Sequence, residues 1–168
     1  GLDLMGVIAG SEGLLGVVTE VTVRILRTPE TAQAMLMGFA QVEDAARAVG
    51  DIIAAGIIPA GMEMMDRPAI HAAEAFVGAG YPLEAEALLI VELDGPGAEV
   101  ALASAQIESI ARAAGAGTIR TSENEAERLA FWAGRKAAFP AVGRLSPDYY
   151  CMDGTIPRGQ LAYVLTRM

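Results

Sequence analysis

One cysteine, Cys151, and one histidine, His71, are all that the 168 residues provide. A lone thiol cannot close an internal disulfide, which excludes a disulfide-stapled secreted scaffold. A lone imidazole cannot build a histidine-based metal cluster, nor can the sequence assign it to a Ser-His-Asp set. Aromatic residues are scarce, at 5%. Basic residues are outnumbered: 12 Lys+Arg against 21 Asp+Glu leave a formal charge of −9. Such a chain repels phosphates and carries no basic stripe, which argues against nucleic acid as a partner. Long apolar runs are missing too. Stretches such as Ala87–Val91 fall far short of the roughly 18 to 20 residues that span a bilayer, so no transmembrane segment is expected.

What is present is apolar and alanine-rich. Hydrophobic residues make up 53%, which excludes a disordered chain and suits small-faced helices packed on a sheet. The length favours one domain, or one domain carrying a stub of another. Gly1 stands where an initiator Met would, and Leu161, Val164, Leu165 and Met168 form an apolar stripe at helical spacing that stops at the last residue. Both ends lead to the expectation of a piece of a longer chain, with no signal peptide visible at its start.

The first segment differs from the rest. Gly6, Gly10, Gly13 and Gly16 precede Val17–Ile25, whose β-branched alternation predicts a strand with Glu20, Thr22 and Arg24 on a wet face. Pro29 ends that unit, and residues 27–33 read as a linker. From there strands and helices alternate. Strands are expected at Ala34–Phe39, Gly61–Met65, Ala87–Val91, Gly117–Arg120 and Tyr149–Met152. Amphipathic stripes predict helices over Val42–Ile53, Ala69–Val77 and Val100–Ala114, and a broken final helix at the end. Ser122 and Glu125 have the S-x-x-E spacing of a capping box, predicting a helix from Glu123 to about Ala138 that Pro140 closes. The order suits an α+β fold: one antiparallel sheet with helices on one face. A doubly wound α/β sheet would fit the same alternation.

Three segments could carry chemistry. Gly10-Ser11-Glu12-Gly13-Leu14-Leu15-Gly16 could bring backbone amides against a phosphate or ring edge, or be only a turn before a strand. It matches neither nucleotide-binding glycine motif. On the predicted helix, Arg128, Trp132, Arg135 and Phe139 recur at spacings of four, three and four, hence on one face. A planar guanidinium suits a carboxylate ligand; alternatively Arg128 pairs with Glu125 or Asn124 on the surface and Trp132 is core. Asp153 could bring a carboxylate to a site mouth or cap a turn, while Cys151 in mid-strand reads as packed. His71 reads as an edge residue, and no acidic cluster has metal-ligand spacing.

These segments together resemble one family. Gly10–Glu20 resembles the last flavin-contacting segment of the FAD-linked oxidases of the vanillyl-alcohol-oxidase type. Phe131-Trp132-Ala133-Gly134-Arg135-Lys136-Ala137-Ala138-Phe139-Pro140 is similar to the substrate-domain helix of their D-2-hydroxy-acid branch. Ser146–Arg158 is similar to the strand that follows in glycolate oxidase FAD-binding subunits and FAD-dependent D-lactate dehydrogenases.

The resemblance implies a ferredoxin-like C-terminal substrate (cap) domain at residues 34–168, truncated at its end. Residues 1–28 would be the tail of an FAD-binding domain. It implies FAD as cofactor of the intact protein, lined by Gly10, Ser11, Glu12, Gly13, Gly16, Val17 and Val18. Arg135 matches the arginine that binds the substrate carboxylate. The implied reaction takes the α-hydrogen of a small 2-hydroxy acid, glycolate or D-lactate, to the flavin as hydride. Cys151 matches a position where relatives acting on larger dicarboxylates carry a lysine, which leans toward a monocarboxylate. The catalytic histidine and the ligands of any divalent metal would lie beyond Met168, so no catalytic or metal-binding residue is expected within the chain, which alone should be inactive. Expected partners are the substrate and other oxidase subunits, of a second flavin type and an iron–sulfur type. The expected location is cytoplasmic, peripheral to the inner membrane through those subunits. A ferredoxin-like module that binds a metabolite or mediates assembly without any flavin is the alternative.

Overall fold

The structure, a computed structural model, describes residues 1–25, 27–145 and 164–165. Strands β1 (Thr31–Phe39), β2 (Gly61–Asp66), β3 (Ala87–Gly95) and β4 (Ala116–Thr121) form one sheet, in the order β4-β1-β3-β2, and the two-residue β5 (Val164–Leu165) adds to the outer edge of β2. Every neighbouring pair is antiparallel. Helix α2 (Val42–Ala54) links β1 to β2, and α4 (Gly97–Ala113) links β3 to β4. This is the ferredoxin-like arrangement, and the antiparallel pairing removes the doubly wound alternative. Helix α3 (Arg67–Val77) is inserted between β2 and β3, α5 (Glu125–Leu145) follows β4, and a short α1 (Leu4–Ala9) precedes the sheet.

Helices cover both faces, where one covered face was expected. Met35, Met37, Phe39, Leu89 and Val91 pack against Ala45, Ala48 and Ile52 of α2 and Val100, Ile107 and Ala111 of α4. The alternate residues, Ala34, Leu36, Leu88 and Ile90, pack with Met65 against Ile70 and Ala73 of α3 and Phe131 and Ala138 of α5. The physical reason is the composition of the two central strands. Ala34–Met37 and Leu88–Val91 are fully buried on both sides of the pleat, so neither face can be left to water. Each fully buried Leu, Ile or Phe contributes about 1.5–3 kcal/mol, and a second layer of helices collects that contribution twice.

Local signals explain most of the ends. Asp66 caps α3 by accepting from the Ala69 amide at 3.0 Å, Pro68 occupies its first turn, and Gly78 ends it in the left-handed conformation at φ 62°. Helix α5 differs from expectation at both ends. Asn124, not Ser122, caps it, accepting from the Glu127 amide at 3.0 Å, while the Glu127 carboxylate reaches back to the Glu123 amide. The box is therefore shifted by two residues. Ser122 is instead buried at the end of β4, where its Oγ accepts from the Ala34 amide and its own amide donates to the Ala34 carbonyl. Pro140 lies inside the helix rather than closing it.

Three further expectations change. The strand over Val17–Ile25 does not form, and its apolar residues are exposed. An alternating segment becomes a strand only when a neighbour takes up its backbone donors and acceptors, and no described residues offer that edge. Strand β1 already starts at Thr31, inside the span 27–33 expected as linker. Val164 and Leu165 join the sheet opposite Glu63 and Met62 instead of forming a helix, because the open edge of β2 supplies a ladder. The expected strand Tyr149–Met152, with Cys151 and Asp153, lies outside the described residues.

Candidate functional site

The polar stripe of α5 faces the sheet, not water. Strands β2 and β3 each bring one carboxylate to that face. Glu92 on β3 lies opposite Gly61, and Glu63 on β2 lies two residues further along, opposite Ile90. Arg128, Trp132 and Arg135 meet these two acids.

Arg128 is held on all three of its nitrogens. Nη1 donates to Glu92 at 2.7 Å, while Nε and Nη2 donate to the two oxygens of Glu125, each at 2.7 Å. The hydrogen bonds it donates to Glu125, and then the one to Glu92, hold the guanidinium above its already high ordinary pKa although partial burial opposes them. Conversely, Arg128 holds the Glu125 carboxyl below the ordinary carboxylate range. The Trp132 indole N–H also donates to Glu92, and its ring lies over Gly61, where a Cβ would meet the ring edge at 3.4 Å. Glu92 thus accepts from two side chains of α5. Both structural readings of the stripe hold in part: Arg128 pairs with Glu125, but Trp132 is half-buried with a polar partner.

Arg135 is placed differently. Its Nε pairs with Glu63 Oε2, and both of these atoms are fully buried. Neither terminal nitrogen has a hydrogen-bond partner among the described residues, and a quarter of the side chain remains exposed. The arrangement leaves one guanidinium edge tied to the sheet and the other available to a planar anion. The Phe139 side chain lies outside the described residues.

The helix is clamped beside this site by the loop after α3. Glu74 accepts from the amides of Gly80 and Tyr81 at 3.1 and 3.0 Å, which fixes the loop. Tyr81 is buried, and its hydroxyl donates to the Phe131 carbonyl. Burial pushes its pKa well above the ordinary phenol value, only partly opposed by the Arg135 backbone amide. Arg120 on β4 caps the other side, stacked 5.1 Å over the Phe131 ring and bonded to Gly80 O at 2.7 Å and Glu127 at 2.8 Å.

Among the described residues no hydrogen bond or ion pair joins the glycine-rich segment to this stripe. Glu12 and Gly13 adopt positive φ, 50° and 81°, in a turn closed by the Leu14 amide on Ser11 O at 2.9 Å. Val7, Gly10, Ser11, Glu12, Leu14 and Leu15 line an open concavity of about 390 Å³. A Cβ on Gly10, Gly13 or Gly16 would meet nothing within 4 Å, so the backbone there is open to close approach by a flat group, as a flavin contact requires. Val17 and Val18 follow as exposed chain. The structure does not bring this segment and Arg135 together.

Sequence reasoning singled out Arg135 but missed Glu63 and Glu92. A usable signal existed: each is a carboxylate flanked on both sides by large apolar residues, Met62 and Met64 around Glu63 and Val91 and Leu93 around Glu92, a position that calls for a cation. His71 is exposed, with Nε2 3.0 Å from Leu83 O. Among the described residues no group of three His, Cys, Asp or Glu side chains could hold a metal ion, and no helix is long and apolar enough to cross a membrane.

Known proteins resemble this chain closely. The glycolate oxidase subunit GlcD of Escherichia coli K12 is 58% identical over 98% of the chain and 33% of its own length. The subunit of that name from Bacillus subtilis is 38% identical over 96% of the chain and 34% of its own length. A probable mitochondrial D-lactate dehydrogenase of Danio rerio is 28% identical over 98% and 33%. The chain therefore spans about a third of the relatives it matches. Among solved structures, alkyldihydroxyacetonephosphate synthase superposes with a TM-score of 0.64 at 19% identity, covering 88% of this chain and 31% of that one, a likeness of fold. The model of the C-terminal domain of FAD-linked oxidases matches residues 28–168. The chain belongs to that family, and FAD is the cofactor the family name carries.

Proposed function

We propose that this chain is the cap portion of a flavoprotein that oxidises a small 2-hydroxy acid to the 2-oxo acid, with Arg135 clamping the substrate carboxylate. The contrast between the two arginines of the stripe carries the reading. Arg128 is saturated by Glu92 and Glu125, whereas Arg135 keeps both terminal nitrogens uncommitted among the described residues. Of these two, only Arg135 can offer a bidentate fork.

Residues 34–168 form the cap, and residues 1–28 are the tail of the flavin-binding part. Gly10, Ser11, Glu12, Gly13, Gly16, Val17 and Val18 line the cofactor, their open backbone allowing close approach. When bound, FAD supplies the acceptor for the α-hydrogen, which leaves as hydride. Arg135 fixes the carboxylate and so orients the adjacent carbon. A base outside the described residues takes the hydroxyl proton as the C=O bond forms. The identity of 58% to a protein named as a glycolate oxidase subunit, against 28% to one named as a D-lactate dehydrogenase, supports glycolate. It also favours an enzyme over a flavin-free binding module. The word subunit in those names supports further oxidase subunits as partners, and cytoplasmic residence beside the inner membrane completes the reading.

The test is Arg135→Ala in the full-length flavoprotein. A hydrogen-bonded charge is worth about 1.5–3 kcal/mol, so KM for glycolate should rise roughly 10- to 150-fold. Unchanged KM and kcat would remove Arg135 from the substrate site.

A further inference from the structure

Arginine side chains are long, and a clamp is only as good as the fixation of its plane. On this chain, fixation comes from β2. Positions 61, 63 and 65 of that strand face α5: Gly61 makes room for the Trp132 ring, Met65 is buried, and Glu63 between them points a carboxylate at the helix. Its Oε2 and the Arg135 Nε are both closed to solvent, and the Glu63 side chain is 14% exposed against 26% for Arg135. The nearest other charges on this face, Glu92 and Arg128, are already engaged with each other.

The Nε–H lies in the guanidinium plane, so anchoring it sets rotation about the Cδ–Nε bond and turns the two terminal nitrogens away from the sheet. A carboxylate there also keeps the cation from being buried alone. Neither need is met elsewhere: among the described residues the Arg135 guanidinium has no other charged partner, and neither its Nε nor Glu63 Oε2 makes a hydrogen bond.

We propose that Glu63 is the positioning residue of the substrate clamp, tying the Nε edge of Arg135 to β2 so that its outer edge is preset for the carboxylate of a 2-hydroxy acid. This rests on the reading of Arg135 as the clamp. Glu63 touches neither substrate nor flavin and acts only through Arg135.

The experiment uses the full-length flavoprotein with Arg135→Ala, Glu63→Ala, Glu63→Gln and the double variant Glu63→Ala/Arg135→Ala, measuring KM and kcat for glycolate together with bound flavin and Tm. Misplacing a binding group by about an ångström costs up to roughly 100-fold. Glu63→Ala should therefore raise KM about tenfold or more, with kcat much less affected. Glu63→Gln keeps the size of the side chain but removes the charge of the ion pair, and should also raise KM. The decisive readout is the double variant: its KM should match that of Arg135→Ala alone, because a residue acting only through Arg135 has nothing left to position. Loss of packing would instead add to the Arg135 effect and overturn the inference. If Arg135→Ala raises KM while both Glu63 variants leave it unchanged, the positioning role fails and the clamp stands. If Arg135→Ala leaves KM unchanged, both fall.

Discussion

The Tyr81 ring occupies the space that a side chain on Gly134 would need. A Cβ built there collides with Cζ and Oη of Tyr81 and comes within 2.7 Å of the Ala79 Cβ. In an exposed helix interior, Gly→Ala gains close to 1 kcal/mol from propensity. Here the sign reverses, because the obstacle is a buried ring and a neighbouring loop. Gly134→Ala should lower stability by about 1–3 kcal/mol, the usual cost of overpacking, read from the urea midpoint. A more stable variant would show that α5 and the loop after α3 are not in this contact.

Tyr81 itself should make the fold sensitive to alkali. Burial raises its pKa above that of an unfolded tyrosine, so the neutral form is favoured in the folded state. The stability linked to it is complete below about pH 10, the unfolded value, and is lost as pH rises beyond. Replacing it by Phe removes the hydrogen bond to the Phe131 carbonyl, costing about 1 kcal/mol near neutrality. Across a pH series of unfolding curves, that deficit should shrink above pH ~10. A constant deficit would mean that the hydroxyl does not ionise differently on folding.

At the start of α5 the sign runs the other way. The Glu123 amide, and then Arg120, hold the Glu127 carboxyl below its ordinary pKa. Its stabilisation is present above the ordinary carboxylate range and disappears as pH falls through the lowered value. Glu127→Gln should therefore be less stable than the parent at neutral pH and converge with it in acid. Asn124→Ala removes the cap and should cost about 1 kcal/mol at either pH. Ser122→Ala tests a different site, since it leaves the buried Ala34 amide without its side-chain acceptor.

Purified by itself, the chain should carry no stoichiometric flavin. Its seven candidate cofactor residues lie on a segment whose apolar side chains are largely exposed, among them Leu14 at 88% and Val17 at 87%. A surface this open cannot hold an isoalloxazine ring, since small-molecule sites enclose most of their ligand. Visible flavin absorbance at one equivalent per chain would overturn the expectation.

The fold was largely legible because its signals are local. Periods of two and of 3.6 marked β1 to β4 and α2 to α4 within a few residues, and an unbroken apolar run such as Ala87–Val91 carries the signature of a strand covered on both sides. Extending that argument to Ala34–Phe39 would have supplied the second layer of helices. The cap of α5 misled because Ser122-x-x-Glu125 and Asn124-x-x-Glu127 overlap, and only the tertiary bond from Ser122 to Ala34 decides between them. Of the site, Arg135 was legible from helical spacing. Its carboxylate was not, nor was Glu92, because their partners lie far off along the chain, 36 and 40 residues from Glu92 to Arg128 and Trp132. Cross-strand placement, not sequence neighbourhood, brings them together.

The two acid–base couples also work as a lengthwise stop for α5. Arg128 and Arg135 are separated by about 10 Å of helix rise. Their acids are separated by two strand residues and one interstrand step, about 8 Å. Sliding the helix by one turn, about 5.4 Å, would break both couples at once, whereas an apolar seam of Ala and Phe could be re-formed at the next turn. The sheet therefore sets the coordinate of the Arg135 fork. A change at Glu92, on the far couple, would reach the fork by letting the rod beneath it shift.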